Sequence, residues 1–190
     1  MNIHKQLFIG PTIKLAPIDH ENDPPVIAGW SHDPEYLRLT EVRPIYPLSA
    51  GLVQKQLEAL EKELEESKNA YHFTIRARDD DRLLGLAAIR WIEWNNGIGW
   101  VRLGIGDRRE RRQGYGTQAL NLLLEYAFSE LNLYRLSAEI IAYNQGAIRL
   151  FEKAGFRQEV RRRRALSRDG QRWDILIYGL LRQEWEASLP

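Results

Sequence analysis

Residues 103–120 of this chain read LGIGDRRERRQGYGTQAL, and they organise the interpretation of the rest. The stretch predicts a short apolar strand, an arginine-rich loop that ends in Gly-Tyr-Gly, and the first turn of a long helix. Glycines at 114 and 116 let the backbone turn sharply and approach a ligand closely. Because the free N–H groups of a helix N-terminus attract anions, the stretch predicts a phosphate or pyrophosphate site, and the flanking arginines add charge. The alternative is a strand-to-helix turn in which the glycines serve only the geometry.

The composition is that of one globular domain. The chain has 190 residues, of which 44% are hydrophobic and 28% are charged, so we expect a single domain over 1–190 with a core at about 7–185. The net charge of +1 gives no argument for a nucleic-acid or membrane partner. There is no cysteine, which excludes disulfides, thiolate metal sites and a cysteine nucleophile. With no signal-peptide pattern and no apolar run of membrane length, we expect a cytoplasmic enzyme.

Hydrophobic periodicity predicts an α+β (mixed α/β) domain with about seven strands and about four helices around a central twisted sheet. Strands are expected at 7–15, 71–78, 83–94, 98–105, 134–142, 158–166 and 173–181. Helices are expected from Asp19 to about Trp30, from Ser49 onward, after Gly116 and after Asn144. Pro24-Pro25 predicts a break or a late start in the first of these. A proline-punctuated loop is expected from 31 through 47, and Asn95-Asn96-Gly97 predicts a hairpin turn.

Several motifs, in this order along the chain, resemble one known family. The run Arg111-Arg112-Gln113-Gly114-Tyr115-Gly116 matches the acyl-CoA signature Q/R-x-x-G-x-G/A. Ile105-Gly106-Asp107 resembles the strand ending that precedes it, and 144–147, 150–156 and 173–185 resemble later blocks. Over nearly its whole length the chain resembles the GNAT-type N-acetyltransferases, in the branch that contains ribosomal-protein N-terminal and spermidine acetyltransferases.

The resemblance implies a sheet that splays between strands 98–105 and 134–142. It also implies acetyl transfer from acetyl-CoA, as co-substrate, to a primary amine by direct attack in a ternary complex. The amine would belong to a protein N-terminus, a polyamine or another small molecule. The pyrophosphate would sit on N–H groups of the glycine loop, and the pantetheine arm would lie along the first of the two strands. The implied cofactor-binding residues are Leu103, Ile105, Gly106, Arg111, Arg112, Gln113, Gly114, Tyr115, Gly116, Thr117, Asn144, Ala147 and Phe151.

The general acid is where the sequence departs from the family pattern. Phe151 stands where many relatives use a tyrosine, and Ala147 where others carry a serine, so neither side chain has a proton to donate. Tyr143 is the remaining candidate acid. The alternatives are that Tyr143 is a packed aromatic at a strand end, and that no protein acid is needed because a CoA thiolate is a fair leaving group.

The general base has two candidates. Glu93 is the nearest carboxylate along the chain, since Trp100 stands where relatives often carry a glutamate, and Glu41 in the substrate-side loop is its rival. A charged residue at a hairpin end is usually solvated, which weakens Glu93. Deprotonation relayed by water would need neither residue.

The acceptor side is expected to be lined by the loop 33–48, through Tyr36, Arg43 and Tyr46, and by the final hairpin. Arg161–Arg164 would bind an anionic substrate or the 3′-phosphate of CoA, or would form a solvated strand face. The four histidines have no metal-ligand spacing, so no metal is expected. Similar proteins often dimerise, and a homodimer stays open. The competing function is a non-catalytic acyl-CoA-binding or regulatory domain. The lack of an acidic side chain at positions 147 and 151 is the observation that supports it.

Overall fold

The computed structural model of the protein describes residues 6–189, with the backbone alone at position 63. Within that range the strands are β1 (Ile13–Ala16), β2 (Tyr71–Ala77), β3 (Leu83–Glu93), β4 (Ile98–Ile105), β5 (Arg135–Ile141), β6 (Arg157–Arg168) and β7 (Gln171–Leu181). The α-helices are α1 (Asp23–Trp30), α2 (Pro34–Thr40), α3 (Ala50–Ser67), α4 (Tyr115–Glu125), α5 (Gln145–Lys153) and α6 (Arg182–Ser188). A short 3₁₀ turn spans Arg108–Glu110, and α4 ends in a wider π-type turn, Tyr126–Glu130.

The strands form one mixed sheet in the order β1-β2-β3-β4-β5-β7-β6, which confirms the predicted α+β fold. The β4–β5 pair is parallel and the other pairs are antiparallel. On one face of the sheet, α4 buries Leu120, Leu123 and Leu124 against the main core. On the other face, α1 and α3 form a second apolar cluster with Ala28, Val53 and Leu57. The side chains on a strand alternate between these two faces.

The splay between β4 and β5 is confirmed. Only 98–100 of β4 pairs with 135–137 of β5, although both strands continue for several more residues. From Val101 onward, the edge of β4 that points toward β5 carries no partner strand. A cleft that is open to backbone hydrogen bonding therefore starts in the middle of the sheet.

The first strand and the first helix are shorter than predicted. The strand expected over 7–15 begins only at Ile13, because the chain makes a tight turn at Gly10-Pro11 and the Gly10 N–H donates to the Ile13 carbonyl (2.8 Å). The helix begins at Asp23, with both prolines in its first turn, where a missing N–H costs nothing. The side chain of Asp19 instead closes a turn by accepting from the N–H groups of residues 21 and 22.

Two of the six α-helices within residues 6–189 were not predicted. The segment expected as a loop holds α2, which Asp33 caps by accepting from the Glu35 N–H (2.9 Å), while Pro34 occupies the first helical position. The C-terminal segment, which resembles a strand through residue 185, is strand only to Leu181 and continues as α6. The Glu184 carboxylate accepts from the Leu181 N–H (3.0 Å) and so stabilises the first turn of α6.

A buried ion pair fastens α1 to the sheet. Asp23 is 1% exposed, and its carboxylate accepts from Arg76 of β2, which is 12% exposed (2.5 Å). The other carboxylate oxygen accepts from the Asp19 N–H (2.8 Å). Because the aspartate is fully desolvated, it depends on both partners. This pair fixes the helical layer that covers one face of the sheet.

Candidate functional site

The loop that joins β4 to α4 presents a row of free backbone N–H groups. Arg112 and Gly114 both adopt positive φ angles, +66° and +87°. These turns bring the chain into the N-terminus of α4, and within residues 6–189 the N–H groups of 112–117 donate to no protein acceptor. Because the positive end of the helix dipole lies at the same place, the loop is built to bind an anion such as a pyrophosphate.

Gly116 leaves space at the mouth of this loop. A Cβ at that position would lie 3.7 Å from a Leu150 methyl and 3.8 Å from a Leu103 methyl, so protein packing does not require a glycine there. Leu103 belongs to β4 and Leu150 to α5, and the space between them opens into the splay of the sheet. The missing side chain keeps that space free beside the anion loop.

Arg111 ties the loop to the end of β4. Its side chain is 18% exposed and donates to the carbonyls of Ile105 (3.3 Å) and Gly106 (2.9 Å) and to Asp33 (3.2 Å). The sequence predicted Arg111 as a cofactor-binding residue, whereas in the structure its guanidinium is engaged by Asp33 and by the carbonyls of Ile105 and Gly106. Its position supports the shape of the loop.

The other predicted loop side chains fall into two groups. Arg112 and Gln113 are exposed and free to reach a ligand, whereas Tyr115 is partly buried and packs against the main core. Thr117 is partly buried in the first turn of α4. Packing requires a glycine at position 106, because a Cβ there would lie 2.0 Å from the indole of Trp30. The structure therefore brings the predicted cofactor-binding residues of this loop together mainly through their backbone groups.

The free edge of β4 continues the anion loop. The Gly106 N–H donates to Leu84 of β3 (2.9 Å), so alternation turns the N–H groups of Leu103 and Ile105 toward the splay. An extended ligand in the cleft would find these groups in the pattern of a missing strand. The predicted roles of Leu103 and Ile105 fit this geometry.

Asn144 and the residues after it form the opposite wall of the cleft. The Asn144 side chain caps α5 by accepting from the Ala147 N–H (3.0 Å) and donates to the Leu39 carbonyl of α2 (3.0 Å). Its amide therefore already has protein partners on both sides. Phe151 is 5% exposed and packs edge-on against Phe156 (5.0 Å), so the position of the family's tyrosine acid holds a core residue.

Tyr143, the predicted candidate acid, connects β5 to α2. Its hydroxyl donates to the Arg38 carbonyl at 2.5 Å, and its ring packs edge-on against Trp173 (5.1 Å). The proton that a general acid would deliver is directed at a backbone carbonyl. This arrangement matches the alternative of a packed aromatic at a strand end.

A cavity of about 290 Å³ lies on the face of the sheet opposite α4. It is enclosed by α1, α2 and α3 and by strands β2 to β4, and it reaches Leu103 and Gly104 on the splayed part of β4. Most of its wall is apolar, and the residues that supply this wall are Ile18, Ile27, Leu37, Leu48, Val53, Leu57, Leu60 and Leu86. Its size suits a small ligand.

Tyr36 is the one predicted acceptor residue that the structure brings to this cavity. Burial raises the pKa of its hydroxyl to about 12, so the phenol stays protonated at neutral pH. Arg43 and Tyr46 are exposed on the loop after α2 and do not line the cavity. The tip of the final hairpin does reach this loop, because Arg168 donates to the carbonyls of Glu41 and Arg43.

Among the residues that the structure describes, the charged side chains that line the cavity are Glu41, Arg90 and Arg102. Glu41 pairs with Arg102 of β4, which also donates to the Thr40 carbonyl (2.8 Å). Arg90 of β3 has neither a hydrogen bond nor an ion pair to any described residue, and its guanidinium lies over the Trp91 ring at 4.2 Å. Burial and the neighbouring Arg102 lower the pKa of Arg90. Sequence reasoning missed both arginines, although an arginine in the apolar run 83–92 was a visible signal.

The two candidate bases are far from equivalent. Glu93 lies at the exposed end of the β3–β4 hairpin, opposite Ile98, where it accepts from Asn96 (2.9 Å). The paired part of β4 separates it from the splay, so the structure does not bring Glu93 to the cleft. Glu41 lines the cavity beside β4. Geometry therefore favours the rival carboxylate.

The arginine run 161–164 forms an exposed strand face. Arg161 pairs with Asp174 (2.8 Å) and Arg162 with Glu139 (3.3 Å), and β6 is the last strand of the sheet. These contacts match the alternative of a solvated face. Among residues 6–189, no group of three or more metal-ligating side chains is close enough to hold an ion. In the same range, no helix is long and apolar enough to cross a membrane.

The sequence matches the Acetyltransferase (GNAT) domain family over residues 12–157. Among curated relatives, it is 31% identical over 119 residues to a protein named as uncharacterized N-acetyltransferase YnaD of Bacillus subtilis (strain 168), covering 62% of this chain and 68% of YnaD. It is also 31% identical over 137 residues to one named as probable N-acetyltransferase YjcK of the same organism, covering 70% and 73%.

Solved structures show the same fold. Spermidine N-acetyltransferase from Vibrio cholerae, in complex with CoA and spermine, superposes with a TM-score of 0.79 at 18% identity and covers 93% of this chain and 99% of its own. The ribosomal L7/L12 alpha-N-protein acetyltransferase RimL, in complex with CoA, superposes with a TM-score of 0.79 at 17% identity, covering 93% and 98%. With a family match over most of the chain, a splayed β4–β5 pair and an anion loop at the N-terminus of α4, the protein belongs to the GNAT acetyltransferases and is an N-acetyltransferase.

Proposed function

We propose that the protein transfers an acetyl group from acetyl-CoA to a small primary amine by direct attack within a ternary complex. The observation that carries this proposal is the row of free N–H groups at 112–117, continuous with the free edge of β4. One end suits a pyrophosphate and the other an extended pantetheine arm. The two solved relatives, the spermidine acetyltransferase and RimL, hold CoA, which supports the same ligand here.

In the proposed reaction, the amine nitrogen bonds to the thioester carbon, and the carbon–sulfur bond then breaks. Backbone N–H groups of β4 at the splay would stabilise the oxyanion that forms. The CoA thiolate leaves, and the proton lost by the amine passes to a base and finally to the thiolate. Positioning of two bound substrates supplies much of the acceleration in such a reaction.

Glu41 is the carboxylate we propose for the proton transfer, either directly or through a water molecule. It lines the cavity that ends at Leu103 and Gly104, and its ion pair with Arg102 fixes its orientation. We assign no acid to the leaving thiolate, because the side chains of Phe151 and Ala147 have no acidic proton and the Tyr143 hydroxyl donates to the Arg38 carbonyl. A thiolate can depart without one.

We propose roles for the other residues of the site as well. Leu103, Ile105 and residues 112–117 would hold the cofactor, Arg111 and Gly106 would support the loop, and Tyr36 would contact the acceptor. The chain would act as one domain over 1–190, in the cytoplasm.

Isothermal titration calorimetry with acetyl-CoA tests the first half of the proposal, and CoA thiol release with a panel of amines tests the second. We expect saturable binding and turnover with at least one amine. Absence of acetyl-CoA binding at millimolar concentration would refute the proposal. Saturable binding without thiol release from any peptide, polyamine or amino acid would instead favour a non-catalytic acyl-CoA-binding domain, which the side chains at 147 and 151 keep as the second candidate.

A further inference from the structure

The Arg90 guanidinium is an unpaired charge in a partly buried place. Within residues 6–189 no carboxylate forms an ion pair with it, its Nε atom is buried without an acceptor, and its neighbour is the Trp91 ring at 4.2 Å. Charged side chains are seldom buried unless an opposite charge or a ligand compensates them. A desolvated guanidinium on a cavity wall is therefore a place for an anionic group.

The surrounding charges do not neutralise Arg90. Arg102 is its diagonal neighbour on the same face of the sheet, since Arg90 is in register with Trp100 and Ala88 with Arg102. Glu41, the carboxylate of the cavity, is already paired with Arg102. Glu139 is paired with Arg162 and so is shared with a second cation. The cavity thus keeps an excess of positive charge, and that excess is centred on Arg90.

The cavity wall carries both a negative and a positive group, Glu41 and Arg90. Glu41 pairs with Arg102, which precedes Leu103 on the splayed part of β4, and an ammonium group would be attracted to this carboxylate. Arg90 supplies the opposite charge one strand away. The rest of the wall is largely aliphatic, and α1, α2 and α3 contribute much of it. An occupant that matches all three features has an ammonium group, a nearby anionic group and an apolar portion.

We propose that the acceptor of this N-acetyltransferase is an amine that bears a carboxylate, with an apolar α-amino acid as its simplest form, and that Arg90 binds the carboxylate. The inference rests on the proposed function and specifies its substrate class. A polyamine fits the cavity poorly, because its additional ammonium groups would face two arginines. The cavity volume of about 290 Å³ accommodates an amino acid of the size of leucine.

The test compares amines that share one apolar skeleton and differ in charge. CoA thiol release is measured at saturating acetyl-CoA with L-leucine, L-leucinamide, 3-methylbutylamine and spermidine. We expect kcat/KM for leucine to exceed that for each of the others by about tenfold or more, the usual scale for losing one hydrogen-bonded charged contact. Equal or faster turnover of leucinamide or spermidine would overturn the inference and leave the proposed transferase activity intact. Acetyl-CoA binding without turnover of any amine would overturn both.

Variants at Arg90 assign the preference to this side chain. Arg90→Gln should bring leucine down to the level of leucinamide and leave acetyl-CoA binding unchanged, whereas Arg90→Lys should keep part of the preference. Arg163→Gln, on the exposed face of β6, is the matched control for loss of one positive charge and should behave as the wild type. Thermal melts verify that each variant is folded. An Arg90→Gln protein that still prefers leucine over leucinamide as strongly as the wild type would refute the role of Arg90.

Discussion

Replacement of Gly116 by alanine should stabilise the fold and weaken acetyl-CoA binding at the same time. Gly116 is the second residue of α4, and a Cβ there would meet nothing closer than a Leu150 methyl at 3.7 Å and a Leu103 methyl at 3.8 Å. Alanine costs up to about 1 kcal/mol less than glycine in a helix, so we expect a gain of about 0.5–1 kcal/mol. For a chain of this length, that gain raises Tm by about 1–4 °C.

Binding should change in the opposite direction, because the new methyl group would stand between β4 and α5, at the entrance to the splay. We expect the Kd for acetyl-CoA to rise by about tenfold or more, equivalent to about 1.4 kcal/mol. Calorimetry gives the Kd, and differential scanning fluorimetry without ligand gives the Tm. An unchanged Kd in Gly116→Ala would refute the assignment of this space to the cofactor.

Gly51 offers a matched control. It is the second residue of α3, a Cβ there would meet nothing within 4 Å, and it lies outside the cleft. Gly51→Ala should therefore raise Tm as Gly116→Ala does and leave the Kd unaltered.

Gly114→Ala, in contrast, should lower the stability of the fold. Its Cβ would also be unobstructed, but at φ +87° alanine is strained, and we expect a loss of about 1–2 kcal/mol.

Five further substitutions test other parts of the molecule. Gly106→Ala would bring a Cβ to 2.0 Å from Trp30, so we expect a loss of about 1–3 kcal/mol or more in urea denaturation, and a loss below that range would mean that Trp30 moves freely. Asp23→Asn leaves Arg76 buried without its anion and should cost about 3–5 kcal/mol by the same assay; a neutral result would contradict the pairing. Glu41→Gln should slow turnover about 100-fold if Glu41 accepts the amine proton, whereas Glu93→Gln should leave turnover unchanged, and the reverse order would restore Glu93 as the base. Tyr143→Phe removes one hydrogen bond to Arg38 and should cost about 0.5–1.5 kcal/mol with little change in turnover, while a turnover rate reduced about 100-fold or more would identify Tyr143 as the acid.

The cofactor half of the site could be predicted from sequence because backbone geometry produces it. Glycines at 114 and 116, a preceding apolar strand and a following amphipathic helix are all local patterns, and the structure joins them as the sequence indicates. The roles of individual side chains were harder to predict from the sequence. Arg111 looked like an anion ligand because it belongs to a cluster of arginines, yet carbonyls of the preceding strand and Asp33 hold it inward.

The acceptor half was predicted poorly because it depends on contacts between distant segments. Arg90 and Arg102 come together only through the register of β3 and β4, which the sequence does not reveal. Glu93 seemed the nearest carboxylate along the chain, but a β-bulge and a hairpin place it at the far end of the sheet. Helix α2 was missed because Pro34 at its start and Pro44 and Pro47 after it resemble the punctuation of a loop, although Asp33-Pro34 is also a good helix start.

That short helix explains how the two halves of the site stay in register. Beyond Trp100, β4 and β5 share no ladder, so backbone pairing cannot fix the width of the cleft. α2 and its cap span the gap: Asp33 accepts from Arg111 of the anion loop, while the carbonyls of Arg38 and Leu39 accept from Tyr143 and Asn144 at the end of β5. Its last turn leads into Glu41, which lines the cavity. One segment thus contacts the cofactor loop, the opposite wall of the cleft and the acceptor cavity. Substitutions that loosen α2 should impair binding of both substrates, whereas changes in the loop or at Arg90 should impair only one.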